Sequence, residues 1–391
     1  MTADRGPLSY PRIALVVGEQ SGDNLGAALI HALRARFPNA RFFGIAGPRM
    51  IAAGCAAWQP AESLAVMGIF EIIPHLPRLW LIRRRLIKRL LANPPDVYIG
   101  VDAKEFNLGV ERKLKAAGIR TVQYVSPQVW AWRQGRVKTI ARAVDLMLCL
   151  LPFEKQFYDS HRVQARFVGH PLADQIALHP DRAAARSELG LAQDALCIAV
   201  LPGSRQGEVS QLGRDFALTI AWLKQHRPQC QIIAPMANAG VRALFTQALQ
   251  QAGVLSQVIL LDGHAQQAMI ASDAVLLVSG TATLEAALVK RPMVVAYRIG
   301  KLTTWLLKGL GIVKFKYFSQ PNILTDQLLV PEFYNDEVRP EVLGAALLAQ
   351  LDRADRAQLD VAFMRIHLQL KQNASEQAAA AIAALLTAPR P

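Results

Sequence analysis

Along most of this chain, short apolar runs rich in β-branched residues alternate with amphipathic stretches of helical period. That alternation constrains the fold more tightly than any other feature. Runs at 13–17, 41–45, 97–101, 121–125 and 146–150 are interleaved with helical patterns at 24–36 and 108–117. Strands that recur with a helix between them predict crossover units and a parallel sheet. A corner at Gly169, His170 and Pro171, followed by a charged stretch to residue 190, interrupts the pattern, and the domain boundary is placed after residue 170. A second series follows, with strands at 197–201, 231–234, 258–261, 274–278 and 293–296 and helices at 209–226, 239–251 and 283–289. The expected architecture is α/β: two Rossmann-like, doubly wound domains, 1–170 and 171–391, facing a cleft, with a helical tail from about residue 340.

Composition narrows the class of partner. The 391 residues suffice for two domains, and 52% hydrophobic against 19% charged residues excludes a disordered chain. Forty-four basic against 30 acidic residues leave a net charge of +14, which favours an anionic partner such as phosphate or acidic lipid. Nucleic acid is not expected, because neither a helix-turn-helix nor a single-strand stacking platform is visible. Cys55, Cys149, Cys197 and Cys230 are scattered and read as reduced core thiols. The first twelve residues lack a leader pattern, so the cytoplasm is the expected compartment. No spanning segment is expected, since the apolar stretch 64–82 is broken by Glu71, Pro74, His75, Pro77 and Arg78.

In open α/β sheets, ligands bind beyond the carboxyl ends of the strands, so the strand-to-helix junctions hold the candidate chemistry. The first is Gly18-Glu19-Gln20-Ser21-Gly22-Asp23, which lacks a dinucleotide fingerprint. Glu19, Ser21, Gly22 and Asp23 fit either a ligand loop or a capped turn. The second ends in Asp102, which fits either a general base for an alcohol or a helix cap. The third, 124–133, presents Trp130, Trp132 and Arg133 for sugar or acyl contact, or for loop packing. The fourth is paired. Gly203, Ser204 and Arg205 offer small-residue amides and a permanent cation suited to a diphosphate, while Ser279, Gly280, Thr281, Thr283 and Glu285 offer hydroxyls and an acid suited to ribose. No paired aspartates or histidine spacing point to a metal, so no metal and no cofactor are expected, and Arg205 with helix dipoles meets the leaving-group charge. Among the eight histidines, His170 alone stands at the domain crossing.

Taken in order, GEQSGD, SLAVMG, GVDAKEFN, YVSPQVWAWR, FVGHPL, LPGSR, SGTATLEAAL, PNIL and VPE resemble the lipid-A-disaccharide synthase family through nearly the whole chain. Gln20, Lys104 and Glu105 depart from the family's pattern. The resemblance implies a GT-B inverting glycosyltransferase, with the acceptor in the N-terminal half and UDP in the C-terminal half. It implies UDP-diacylglucosamine as donor, diacylglucosamine 1-phosphate as acceptor, Asp102 as base, and Asn107, Asn322 and Glu332 as further cleft residues. A soluble-sugar enzyme of the same architecture, such as a UDP-N-acetylglucosamine epimerase or a peptidoglycan glycosyltransferase, and a non-catalytic sugar-binding module are the alternatives. The oligomeric state stays open, a homo-oligomer included.

Both implied substrates are acylated, and one segment fits a bilayer surface. Within 64–91, Leu79, Ile82 and Leu86 share one side of a helical wheel with Trp80, Ile87, Leu90 and Leu91. Arg84, Arg85, Lys88 and Arg89 take the other side, and Arg83 falls on the apolar one. Such a helix suits peripheral contact with the anionic inner membrane, the alternative being a core face with solvated charges. A second acid-free basic stretch, 286–325, carries Lys301, Lys308, Lys314 and Lys316 among aromatic and leucine residues.

Overall fold

A computed structural model describes residues 10–64, 72–129, 134–298 and 316–389. The chain divides into two compact units, 1–174 with 370–391, and 175–369. The first holds β1 (Arg12–Val16), β2 (Arg41–Ala46), β3 (Cys55–Pro60), β4 (Val97–Val101), β5 (Arg120–Tyr124), β6 (Leu146–Cys149) and β7 (Ala165–Phe167) in one sheet of order β3-β2-β1-β4-β5-β6-β7. The second holds β8 (Cys197–Leu201), β9 (Gln231–Met236), β10 (Val258–Asp262), β11 (Ala274–Val278), β12 (Met293–Tyr297) and β13 (Glu332–Tyr334) in the order β10-β9-β8-β11-β12-β13. Every neighbouring pair is parallel. Central strands β4, β8 and β11 are buried at all positions, the condition that makes such strands read as unbroken apolar runs.

The two-sheet α/β architecture agrees with the expectation, and three strands were not anticipated. β3 reads CAAWQP and is half exposed, while β7 and β13 are three residues long at sheet edges. None offers the buried β-branched run that marks a central strand. Helices begin three or four residues earlier than periodicity indicates, at Gln20, Lys104 and Gln206, because polar residues fill their first turns.

Two expectations need correction. The tail does not stay wholly with the second half: residues 370–391 belong to the first unit. There the helix Ala374–Thr387 lays Ala378, Ala379, Ile382 and Leu386 into the cluster that holds Leu29, Ile30 and Leu33 of the helix Gln20–Arg36. Nor does the basic segment present the expected stripe to its surroundings. Within the helix Ile72–Ala92, Ile82, Leu86 and Leu90 are buried against Phe43, Tyr98, Val110 and Leu114, and Leu79 is half-buried. Burial of each such side chain is worth about 1.5–3 kcal/mol, so this stripe is core and its membrane reading fails. Among the residues of this helix whose side chains are described, the apolar ones left exposed are Leu76, Trp80, Leu81 and Leu91, beside exposed Arg84, Arg85, Lys88 and Arg89. Arg84 lies over the Trp80 ring at 5.3 Å and Arg89 over Trp58 at 3.8 Å. Of the second basic stretch, residues 299–315 lie outside the described residues. No helix among the described residues is long and apolar enough to cross a membrane, and the four cysteines are buried free thiols.

His170 closes the first unit against its own returning segment. Its amide donates to Leu370 O (2.8 Å), and Nδ1 accepts from Leu172 N (3.2 Å). Burial pushes the ring's pKa down to about 4, against a smaller upward pull from Asp174. An unfolded chain therefore takes up a proton near pH 6.5 that the folded one refuses until about pH 4. This contribution is complete above the unfolded value and is lost as pH falls between the two, with a slope approaching about 1.4 kcal/mol per pH unit. Urea unfolding of wild type and His170→Asn at pH 7 and pH 5 is expected to show a steeper acid loss in the wild type. Equal losses would contradict the assignment.

Candidate nucleotide and acceptor sites

In the second unit the strand order reverses between β8 and β11, and a cavity of about 300 Å³ opens at their carboxyl ends. Gly203, Ser204, Arg205, Gly280, Thr281 and Glu285 all line it. The Arg205 side chain is 75% exposed, with Nη1 3.3 Å from Glu208 Oε1. Glu285 is half-buried, and burial raises its carboxyl above the usual range. Pro235 and Met236 at the end of β9, Ala237 just past it, and Gly263 and Ala265 after β10 also line it. Sequence reasoning did not select these; the signal available was only that they too stand at or just past strand ends.

Several residues expected to touch ligand instead hold the backbone. Thr283 is fully buried, donating from Oγ1 to Gly280 O (2.8 Å) and accepting from Gln320 N (3.0 Å). Ser279 lines the cavity, yet its hydroxyl donates to Phe318 O (2.8 Å). Asn322 is fully buried: Oδ1 accepts from Leu329 N (2.9 Å) and Val330 N (3.0 Å), and Nδ2 donates to Val330 O and to Glu332 Oε1, both at 2.8 Å. Glu332 also accepts from Phe318 N (2.9 Å) and Ser319 N (2.7 Å). Asn322 and Glu332 thus fold the segment leading into β13 rather than forming a ligand surface. The Ser204 amide, expected as a diphosphate donor, is engaged by Glu208 Oε2 at 2.9 Å.

In the first unit the order reverses between β1 and β4. Asp102, just past β4, and Ala103 both adopt left-handed backbone, with φ of +50° and +38°, an uncommon conformation for either residue that the surroundings must enforce. The Asp102 carbonyl accepts from Asn107 Nδ2 (3.0 Å) and Gln123 Nε2 (3.1 Å). Asn107, fully buried, also donates to Val16 O (3.3 Å) and accepts from Tyr98 Oη (2.8 Å). It cannot touch an acceptor and instead sets the backbone of Asp102. The cap position of the next helix, Lys104–Ala116, is held by Ala103, so the Asp102 side chain, 30% exposed, remains at the rim with Lys104 Nζ 3.6 Å from Oδ1. Glu105 turns to Arg136 in a two-pronged ion pair (2.6 and 2.7 Å).

Gly22 packs beneath this rim: a Cβ there would lie 3.5 Å from Val101 O and 3.8 Å from Asp102 Cβ. Glu19 and Ser21 are exposed. Asp23 is buried, accepting from Arg49 N (2.9 Å) and Met50 N (3.0 Å), so it anchors the helix Pro48–Ala52 and is not a cleft residue. Trp130, Trp132 and Arg133 lie outside the described residues.

The family described as lipid-A-disaccharide synthetase matches residues 13–386. A lipid-A-disaccharide synthase of Alkalilimnicola ehrlichii is 52% identical over 376 residues, covering 95% of this chain and 98% of that protein. Among solved structures, a UDP-GlcNAc 2-epimerase from Neisseria meningitidis bound to UDP-GlcNAc superposes with a TM-score of 0.64 at 12% identity, covering 96% of this chain and 100% of that one. The calicheamicin glycosyltransferase CalG4 gives 0.58 at 14% identity, covering 97% and 100%. At such identities the structures establish a shared GT-B fold alone.

The Asn322 network generates a test of its own. Replacing Asn322 by Ala strands the Leu329 and Val330 amides and part of the Glu332 carboxylate, at roughly 1–3 kcal/mol for each buried group left unpaired. Urea unfolding is expected to show a loss of at least about 3 kcal/mol. A variant of normal stability with impaired ligand binding would return Asn322 to the ligand surface.

Proposed function

Because the chain belongs to the lipid-A-disaccharide synthetase family, we propose that it transfers diacylglucosamine from UDP-diacylglucosamine to the primary hydroxyl of diacylglucosamine 1-phosphate, inverting the anomeric centre and releasing UDP. The observation that carries this reading is the cavity at the ends of β8 and β11, where an exposed arginine and a half-buried acid share one wall. Arg205 neutralises the diphosphate in the bound donor and more strongly as it departs, because charge accumulates on the leaving oxygen. Glu285 accepts from the ribose hydroxyls. A single displacement also needs one base for the acceptor hydroxyl, and Asp102 fills that role. Its backbone is fixed by Asn107 and Gln123, and Lys104 steadies its carboxylate from one side.

Acylated substrates must be drawn from a lipid surface, and the exposed face of the helix Ile72–Ala92 suits that contact. Leu76, Trp80 and Leu81 supply apolar area, and Arg84, Arg85 and Lys88 supply charge toward anionic headgroups.

With radiolabelled acceptor lipid, the full chain is expected to yield a disaccharide phosphate and UDP. Asp102→Asn should cut turnover by about 10²–10⁴-fold while UDP affinity stays near wild type; near-normal turnover would remove Asp102 from the base role. Sedimentation with anionic vesicles checks the surface contact. Trp80→Ser with Leu81→Ser is expected to release a folded protein, and salt should loosen the wild type. Undiminished sedimentation of the double variant would place the contact elsewhere.

A further inference from the structure

The loop after β8 carries its own anion. Glu208 stands in the first turn of the helix Gln206–His226, and its Oε2 accepts from the amides of Ser204 (2.9 Å) and Arg205 (3.2 Å). Its Oε1 lies 3.3 Å from Arg205 Nη1. Two adjacent amides and a guanidinium are the donor set that phosphoryl oxygens take in sites of this kind, so the carboxylate occupies donors that a diphosphate would use. Glu208 lines the same cavity as Arg205 and Glu285. The loop is shaped to admit it: Gly203 has φ +121°, and a Cβ there would stand 2.6 Å from Glu208 Oε2 and 2.7 Å from its Cβ. From the other side Asn238 Nδ2 donates to Ser204 O (3.3 Å), which holds the loop in place whichever acceptor its amides serve.

An anion entering this cavity must take its donors from a group of like charge, and that charge, once displaced, stays nearby where solvent screens it poorly. Resting on the reading of the cavity as a nucleotide site, we propose that Glu208 is a built-in competitor for the diphosphate, holding the Ser204 and Arg205 amides before UDP-sugar binds and retaking them as UDP leaves. The arrangement makes Glu208 a specificity-determining residue. A diphosphate brings a second phosphoryl group to outbid the carboxylate, whereas a monophosphate competes with it on nearly equal terms. It also gives the product a route out, since the donors never lack an acceptor during release.

The test is calorimetric titration of the full chain with UDP and with UMP, comparing wild type with Glu208→Gln. The Gln carbonyl still accepts from both amides, so the start of the helix is kept and only the charge is lost. UDP is expected to bind the variant tenfold or more tightly, UMP to gain at least as much, and KM and kcat to fall together in the transfer assay. A residue that only caps the helix would not produce that combination. UDP binding by the wild type with equal or weaker binding by Glu208→Gln overturns the inference alone. Glu208→Thr, uncharged and shorter, is expected to shift affinity in the same direction, and it decides by the same criterion if the Gln variant loses its cooperative melting. Absence of UDP binding in the wild type and both variants overturns the nucleotide reading and this inference with it.

Discussion

A strand in a parallel sheet can be rejoined only by a crossover that leaves the sheet, and in both units the strand order turns back on itself beside the first strand. At β1 and β4, and again at β8 and β11, successive crossovers cover opposite faces, so the carboxyl ends of the two central strands are left open between them. The chemistry-bearing residues of each unit collect at that opening: Glu19, Gly22 and Asp102 in the first, Arg205, Gly280 and Glu285 in the second. Their placement follows from topology before any side chain is considered.

In both units the backbone is held by buried and half-buried polar side chains. Asn107 fixes the left-handed Asp102, Asn322 and Glu332 gather the chain that precedes β13, and Asp23 anchors a neighbouring helix. Polar residues inside a motif read naturally as ligand contacts in a sequence, because a buried amide and an exposed one are spelled alike. What separates them is the number of main-chain groups each must satisfy, which is known only once distant segments meet. The residues that remain open at the rim were legible from their position after a strand. The wall formed by Pro235, Met236 and Gly263 was not, since it carries no charge or hydroxyl to draw notice.

The helix Ile72–Ala92 shows a different limit. Its periodicity was plain in the sequence, and so was the segregation of cations from apolar residues. Periodicity states that one face avoids water, but not whether a sheet or a bilayer covers it. The neighbours Phe43, Tyr98 and Val110 settle that for Ile82 and Leu86. A wheel also merges residues that packing separates: Trp80 falls on the apolar half of the projection with Ile82 and yet remains exposed. The central strands, by contrast, were read nearly to the residue, because burial on both faces leaves an unambiguous apolar run.

The first unit is interrupted by the whole of the second, since residues 370–391 return to it after 175–369. During synthesis this imposes an order. At about 5–20 residues per second, roughly 10–40 s separate the emergence of the β7 region from that of the helix Ala374–Thr387. Through that interval Leu29, Ile30 and Leu33 lack the apolar cover that Ala378, Ile382 and Leu386 later supply. The second unit, contiguous in sequence, can finish folding while the first still waits. Aggregation during translation should therefore start from the half that the ribosome makes first.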